Sequence, residues 1–170
     1  MNNMIGLIYG VAHVLPEDPW CLVDDDQPLD SISSPIISYV RWQALRETSE
    51  GDELSCGVRL GPDDDPETVA PWLDTLPLIA LEFPSFRDGR AYTQANLLRT
   101  RYGYKGDLRA TGDVLRDQLG LMRHCGFSSF AVREDKSVTE ALKGLFGFDM
   151  IYARSATSPE PLFRRRGLKS

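Results

Sequence analysis

Histidine and cysteine are scarce, with two of the former and three of the latter among 170 residues. His13 and His124 lie far apart, and Cys21, Cys56 and Cys125 form no pair with zinc-site or redox-motif spacing. Structural zinc, haem attachment and iron–sulfur ligation are therefore excluded. The chain also lacks G-x-G-x-x-G and G-x-x-x-x-G-K-[ST], so the common dinucleotide and P-loop fingerprints are absent. No cofactor and no metal are expected. No apolar run approaches the ~20 residues of a membrane helix. Met1 to Val14 is apolar but has neither a basic start nor a small-x-small cleavage site, so it is not read as a signal peptide. A cytoplasmic protein without membrane contact is expected.

What is present is ordinary in amount and uneven in placement. Hydrophobic residues make up 42% and charged residues 26%, as in a soluble globular domain able to bury its own core. The net charge is −6. Residues 1–70 hold 14 acidic and 3 basic side chains, a net of −11, and the remainder carries +5. From Arg87 to Arg123 there are eight basic residues, seven of them arginine, against four acids. Arginine offers a planar fork for oxyanions and carboxylates. Nucleic acid is not the expected partner, because the overall pI is about 4.9 and no aromatic stripe interleaves the arginines.

The hydrophobic pattern divides the chain into three stretches. Residues 1–36 read as an irregular β extension, with Met4 to Val14 and Trp20 to Val23 as strands and Ser31 to Pro35 as a turn-rich connector. Residues 37–150 read as an α/β core. Ile37 to Thr48 has a helical pattern. Strands are expected at Leu54–Leu60, Leu78–Phe83, Asp107–Thr111 and Ser128–Arg133, each followed by a helix. Pro66, Asp88, Asp113 and Ser137 mark the helix starts, and Gly103 and Gly126 mark two ends. The fold class is thus a mainly parallel four-stranded βαβαβαβα core, either an open sheet or half-barrel-like, with an N-terminal antiparallel β extension. Residues 151–170 read as an extended tail.

Ligands of parallel sheets bind beyond the carboxyl ends of the strands. The loops after the second and third core strands supply Arg87, Asp88, Arg90, Tyr92, Asp113, Arg116, Asp117 and Gln118. These eight form the expected anion- or partner-binding edge, with two helix N-termini beside it. Asp88 and Asp113 equally suit helix caps. No catalytic residue is named. His124 and Cys125 are adjacent on a helix, about 100° apart, and do not face each other.

Four stretches are distinctive: Glu82 to Tyr92 (EFPSFRDGRAY), Leu97 to Tyr104 (LLRTRYGY), Asp107 to Gln118 (DLRATGDVLRDQ) and Arg123 to Phe127 (RHCGF). Together they closely resemble the bacterial family called domain of unknown function nine-three-four. The resemblance runs from about Trp42 to Asp135, with echoes at Trp20 and at Pro161 to Arg165. It implies a role in sulfate assimilation, beside the haemoprotein subunit of sulfite reductase, and an oxidoreductase label that the missing cofactor motifs do not support. The expected function is an accessory protein of assimilatory sulfite reduction, docking through the arginine-rich edge on sulfite reductase or its electron donor. The first alternative is a small-anion-binding protein or enzyme acting on a sulfur oxyanion or acidic metabolite. The second is a regulatory phosphate- or nucleotide-binding module. A homodimer remains open.

Overall fold

The computed structural model describes residues 3–48, 55–146 and 155–160. Eight strands form a single sheet: β1 (Met4–Ile8), β2 (Val11–Leu15), β3 (Cys21–Leu22), β4 (Pro35–Ser38), β5 (Gly57–Leu60), β6 (Leu78–Phe83), β7 (Asp107–Gly112) and β8 (Ser129–Ala131). Their order is β2-β1-β8-β7-β6-β5-β4-β3. From β3 to β8 every neighbouring pair is parallel. β1 runs antiparallel to both β8 and β2. The four-stranded parallel core and the antiparallel N-terminal edge are both present, and β4 and β3 extend the parallel array to six.

Helices α1 (Tyr39–Arg46), α2 (Arg90–Thr100), α3 (Leu119–Cys125) and α4 (Val138–Leu142) complete the fold. Their caps are legible locally. The Ser38 hydroxyl accepts from the Arg41 N–H at the start of α1, and the Ser137 hydroxyl accepts from the Glu140 N–H at the start of α4. The helix expected from Pro66 is a 3₁₀ segment, Pro66–Trp72, because Pro71 within it cannot donate to an α-helical ladder. The helix expected from Asp113 begins later, as a 3₁₀ turn at Arg116–Gln118 that leads into α3. Of the expected tail at 151–170, only residues 155–160 lie within the described part.

The two faces of the sheet differ. Ile5, Ile37, Val58, Ile79, Leu81, Phe83, Leu108, Ala110 and Phe130 join the helices in the main core. A separate small cluster of Ile36, Leu78 and Ala80, flanked by Trp20 and Leu22, lies on the opposite face. Leu78, Ala80 and Glu82 thus alternate with Ile79, Leu81 and Phe83 along β6, as strand periodicity requires.

β2 and β3 are the two border strands, yet only residues 16–20 connect them. Seven inter-strand spacings in a flat sheet would separate the borders by about 34 Å. The six steps from Leu15 to Cys21 reach at most about 21 Å. The sheet must curl, and it forms an open half-barrel with the helices outside. Residues 16–20 cross its concave side as a strap.

Candidate functional site

Register places the concave residues in layers. Arg59 on β5 is opposite Ala80 on β6, which is opposite Arg109 on β7, which is opposite Ser129 on β8. One layer toward the carboxyl ends, Glu82 is opposite Thr111. Below, Leu78 is opposite Asp107. Charged side chains in the middle of a buried sheet need partners, and the strap supplies one. Arg109 donates from Nη1 and Nη2 to the two carboxylate oxygens of Asp18, at 2.7 and 3.1 Å. Both side chains are nearly inaccessible, 5% and 4% exposed. Arg109 Nε donates to Ser129 Oγ at 3.1 Å, and its Nη2 lies 3.4 Å from Asp107 Oδ2. Asp107 also accepts from the hydroxyls of Ser128 and Ser129, at 2.6 and 2.8 Å. This network fastens the strap to the middle of the sheet.

Beside it, toward the carboxyl ends of the strands, opens a cavity of about 560 Å³. Trp20, Leu22, Ile36 and Met4 give it apolar walls, and Arg59, Glu82, Arg133 and Glu134 give it charge, with the Asp18–Arg109 pair at its side. The two cavity-lining arginines outside the Arg109 network are differently engaged. Arg133 is doubly paired, with Asp113 at 2.8 Å and with Asp135 at 2.6 and 2.7 Å. Among the described residues Arg59 has one ion-pair contact, with Glu82, at a long 3.9 Å. Gly112, at the end of β7, has φ +88° and packs where a Cβ would stand 2.3 Å from the Phe83 carbonyl oxygen. That close approach sets the cavity's edge and admits no side chain.

Comparison with protein-family models matches residues 57–163 to the family described as "Bacterial protein of unknown function (DUF934)". The chain belongs to this family. No curated protein matches. The DUF934 match spans β5 to β8, so Arg59, Glu82, Arg109 and Thr111 lie inside it, whereas Asp18 and Trp20 of the strap precede it.

The edge expected from sequence lies outside this cavity and divides into separate groups. Asp88 chelates Arg90 at 3.0 and 2.6 Å, and Arg90 also reaches Asp63. These bonds hold the Asp88 carboxyl down to about 2. Asp113 is not a helix cap. It accepts from the Phe86 N–H at 2.8 Å and pairs with Arg133, which lowers its pKa. Gln118 donates to the Phe86 carbonyl at 2.9 Å and accepts from the Leu115 N–H. Tyr92 stands nearby with its ring edge on Phe83, its hydroxyl pKa raised by burial. Arg87 lies over the ring of Phe86, Arg116 is 3.9 Å from Glu140, and Asp117 is exposed. The donors at these turns are largely taken: the Arg90 N–H is already bonded to Asp88. The Asp113–Arg133 pair links this edge to the cavity.

Among the described residues no cluster of three or more His, Cys, Asp or Glu could hold a metal, and no helix is long and apolar enough to cross a membrane. Sequence reasoning missed Arg59, Glu82, Arg109 and the strap. A signal existed in β5, β6 and β7, which read GVRL, LIALEF and DLRATG. β5 and β6 each carry one charge, Arg59 and Glu82, and β7 carries Asp107 and Arg109 at alternate positions, all on otherwise largely apolar strands of a sheet buried on both sides.

Proposed function

We propose that this DUF934 protein serves assimilatory sulfite reduction in the bacterial cytoplasm by holding a small anion, a sulfur oxyanion or an acidic metabolite, at the open end of its curled sheet. The sequence resemblance is what supports the pathway. The observation that carries the site is the cavity with Arg59 on its wall, a guanidinium whose carboxylate neighbour stands off at 3.9 Å. A guanidinium so placed retains donors for an incoming oxyanion. Position agrees with this reading, since parallel sheets present ligands beyond the carboxyl ends of their strands. Calorimetric titration with sulfite, sulfate and organic acids tests it. Saturable heat that Arg59→Gln abolishes is expected, and no heat with any of them at millimolar concentration overturns it.

A second reading is docking on sulfite reductase or its electron donor. The exposed Phe86 side chain with the Arg87 guanidinium over its ring favours it, since aromatic–arginine pairs suit interface centres. Long-range steering by the whole edge is disfavoured, because Arg87, Arg90 and Arg116 are matched there by Asp88, Asp113 and Asp117. Tagged protein from cells grown on sulfate as sole sulfur source should recover the haemoprotein or its donor, and Phe86→Ala should reduce that recovery. Recovery unaltered by Phe86→Ala removes this face from consideration.

A further inference from the structure

Resting on the anion-site reading, we infer that the cavity takes an organic acid with an apolar body and a hydrogen-bond donor beside its carboxylate, rather than a bare sulfur oxyanion. Size argues first. About 560 Å³ holds roughly 19 waters at ~30 Å³ each, so a four-atom anion would leave most of the space wet. Cavities of this volume suit molecules that cover apolar walls and present few polar groups. The walls here are Met4, Trp20, Leu22, Ile36 and Val132. Leaving them against water forfeits about 25 cal/mol for each Å² of apolar surface.

The charges argue next. A small tetrahedral anion is held by several converging donors. Arg109 already faces two carboxylates, Asp18 and Asp107, and Arg133 faces Asp113 and Asp135. Of the three, Arg59 is the one without a carboxylate closer than 3.9 Å, which leaves its fork open to one planar carboxylate. Its neighbour Glu82 accepts only, and at 3.9 Å it repels a second negative oxygen. The pair therefore suits a ligand that offers negative charge and, a bond or two away, an N–H or O–H. A 2-hydroxy or 2-amino acid meets both conditions. Its body then lies against Trp20, Leu22 and Ile36, which line the cavity.

Indole-3-lactate is a probe with these features. Its methyl ester lacks the charge, indole-3-propionate lacks the hydroxyl, and sulfite lacks the body. Binding is read by calorimetry and ligand-observed NMR on the full chain. Indole-3-lactate should bind at least tenfold more tightly than the ester or sulfite. Arg59→Gln should weaken it tenfold or more, with Arg59→Lys intermediate. Glu82→Gln should shrink its advantage over indole-3-propionate. Circular dichroism checks that each variant is folded. Sulfite binding through Arg59 without indole-3-lactate binding overturns this inference and leaves the anion site standing. No binding by either probe overturns both. Indole-3-lactate binding that Arg59→Gln leaves unchanged places it elsewhere and also overturns the inference.

Discussion

Asp18→Asn is the sharpest test of the strap. The substitution keeps shape and removes only the charge that offsets Arg109. The guanidinium is 5% exposed, so where it stands water replaces little of the lost charge. Removing one partner of a buried pair costs about 3–5 kcal/mol. Asp107 remains 3.4 Å away and Ser129 still accepts from Nε, which places the expected loss at the low end, about 3 kcal/mol. For a chain of this size that corresponds to a melting temperature lower by roughly 6–12 °C. Urea unfolding monitored by circular dichroism measures it, with an unchanged m-value showing that the surface exposed on unfolding is the same. The double variant Asp18→Leu/Arg109→Met should be less destabilised than the two singles summed, by roughly 1–3 kcal/mol, since neither charge is then left alone. A loss below about 1 kcal/mol in Asp18→Asn is the range of an exposed pair. It would refute the claim that the strap is pinned inside the half-barrel.

Other outcomes follow from the same geometry. Gly112→Ala should destabilise by at least about 2 kcal/mol, from its φ of +88° and the clash with the Phe83 carbonyl; wild-type stability in urea would contradict the backbone path. Burial pushes the Cys56 thiol up to about 11 and raises that of Cys125, while Cys21 is exposed. Iodoacetamide at pH 8 should therefore modify Cys21 first and Cys56 only on unfolding, and peptide mass spectrometry that finds all three equally modified disproves the burial. Asp88 is held to about 2 and Asp113 is lowered, both beneath the ordinary value near 3.9. Groups depressed in the folded state stabilise above the unfolded pKa and lose that contribution as pH falls through the folded one. The melting temperature should drop between about pH 4 and 2, and Asp88→Asn/Asp113→Asn should flatten that limb. Parallel curves for wild type and variant would count against these pairs.

Much of the fold was legible where local signals are strong. The apolar run of β6, the cap at Ser137 and the glycines at 103 and 126 announce their elements without help from neighbours. β4 was hidden because Pro35-Ile36-Ile37-Ser38 has only two central apolar residues, and it becomes a strand by pairing with β5. The β1–β2 hairpin was read as a single strand. Its turn is Tyr9-Gly10, with φ of 50° and 79°, and tyrosine is an unusual occupant of that position. The site was harder for a different reason. Reading the residues after each strand leads to Arg87, Arg90 and Arg116, where helices begin. The cavity is walled instead largely by residues within the strands, Arg59, Glu82, Arg109 and Thr111 among them, joined by Val132 to Glu134 after β8, and its cover comes from Asp18, 91 residues from its partner. Curl decides which face encloses space, and curl is a property of the whole sheet.

The strap also sets an order of assembly during synthesis. β3 can pair with β4 soon after both emerge, because Cys21 and Pro35 are close in the chain. β1 must wait for β8, since Met4 pairs with Ala131, and the carboxylate of Asp18 must wait for Arg109. The hairpin made first is thus berthed last, after nearly every helix-covered strand has left the ribosome. A nascent chain that stops short of Ser129 has its parallel strands up to β7 and no mooring for β1. The hollow beneath the strap therefore belongs only to chains translated past that point.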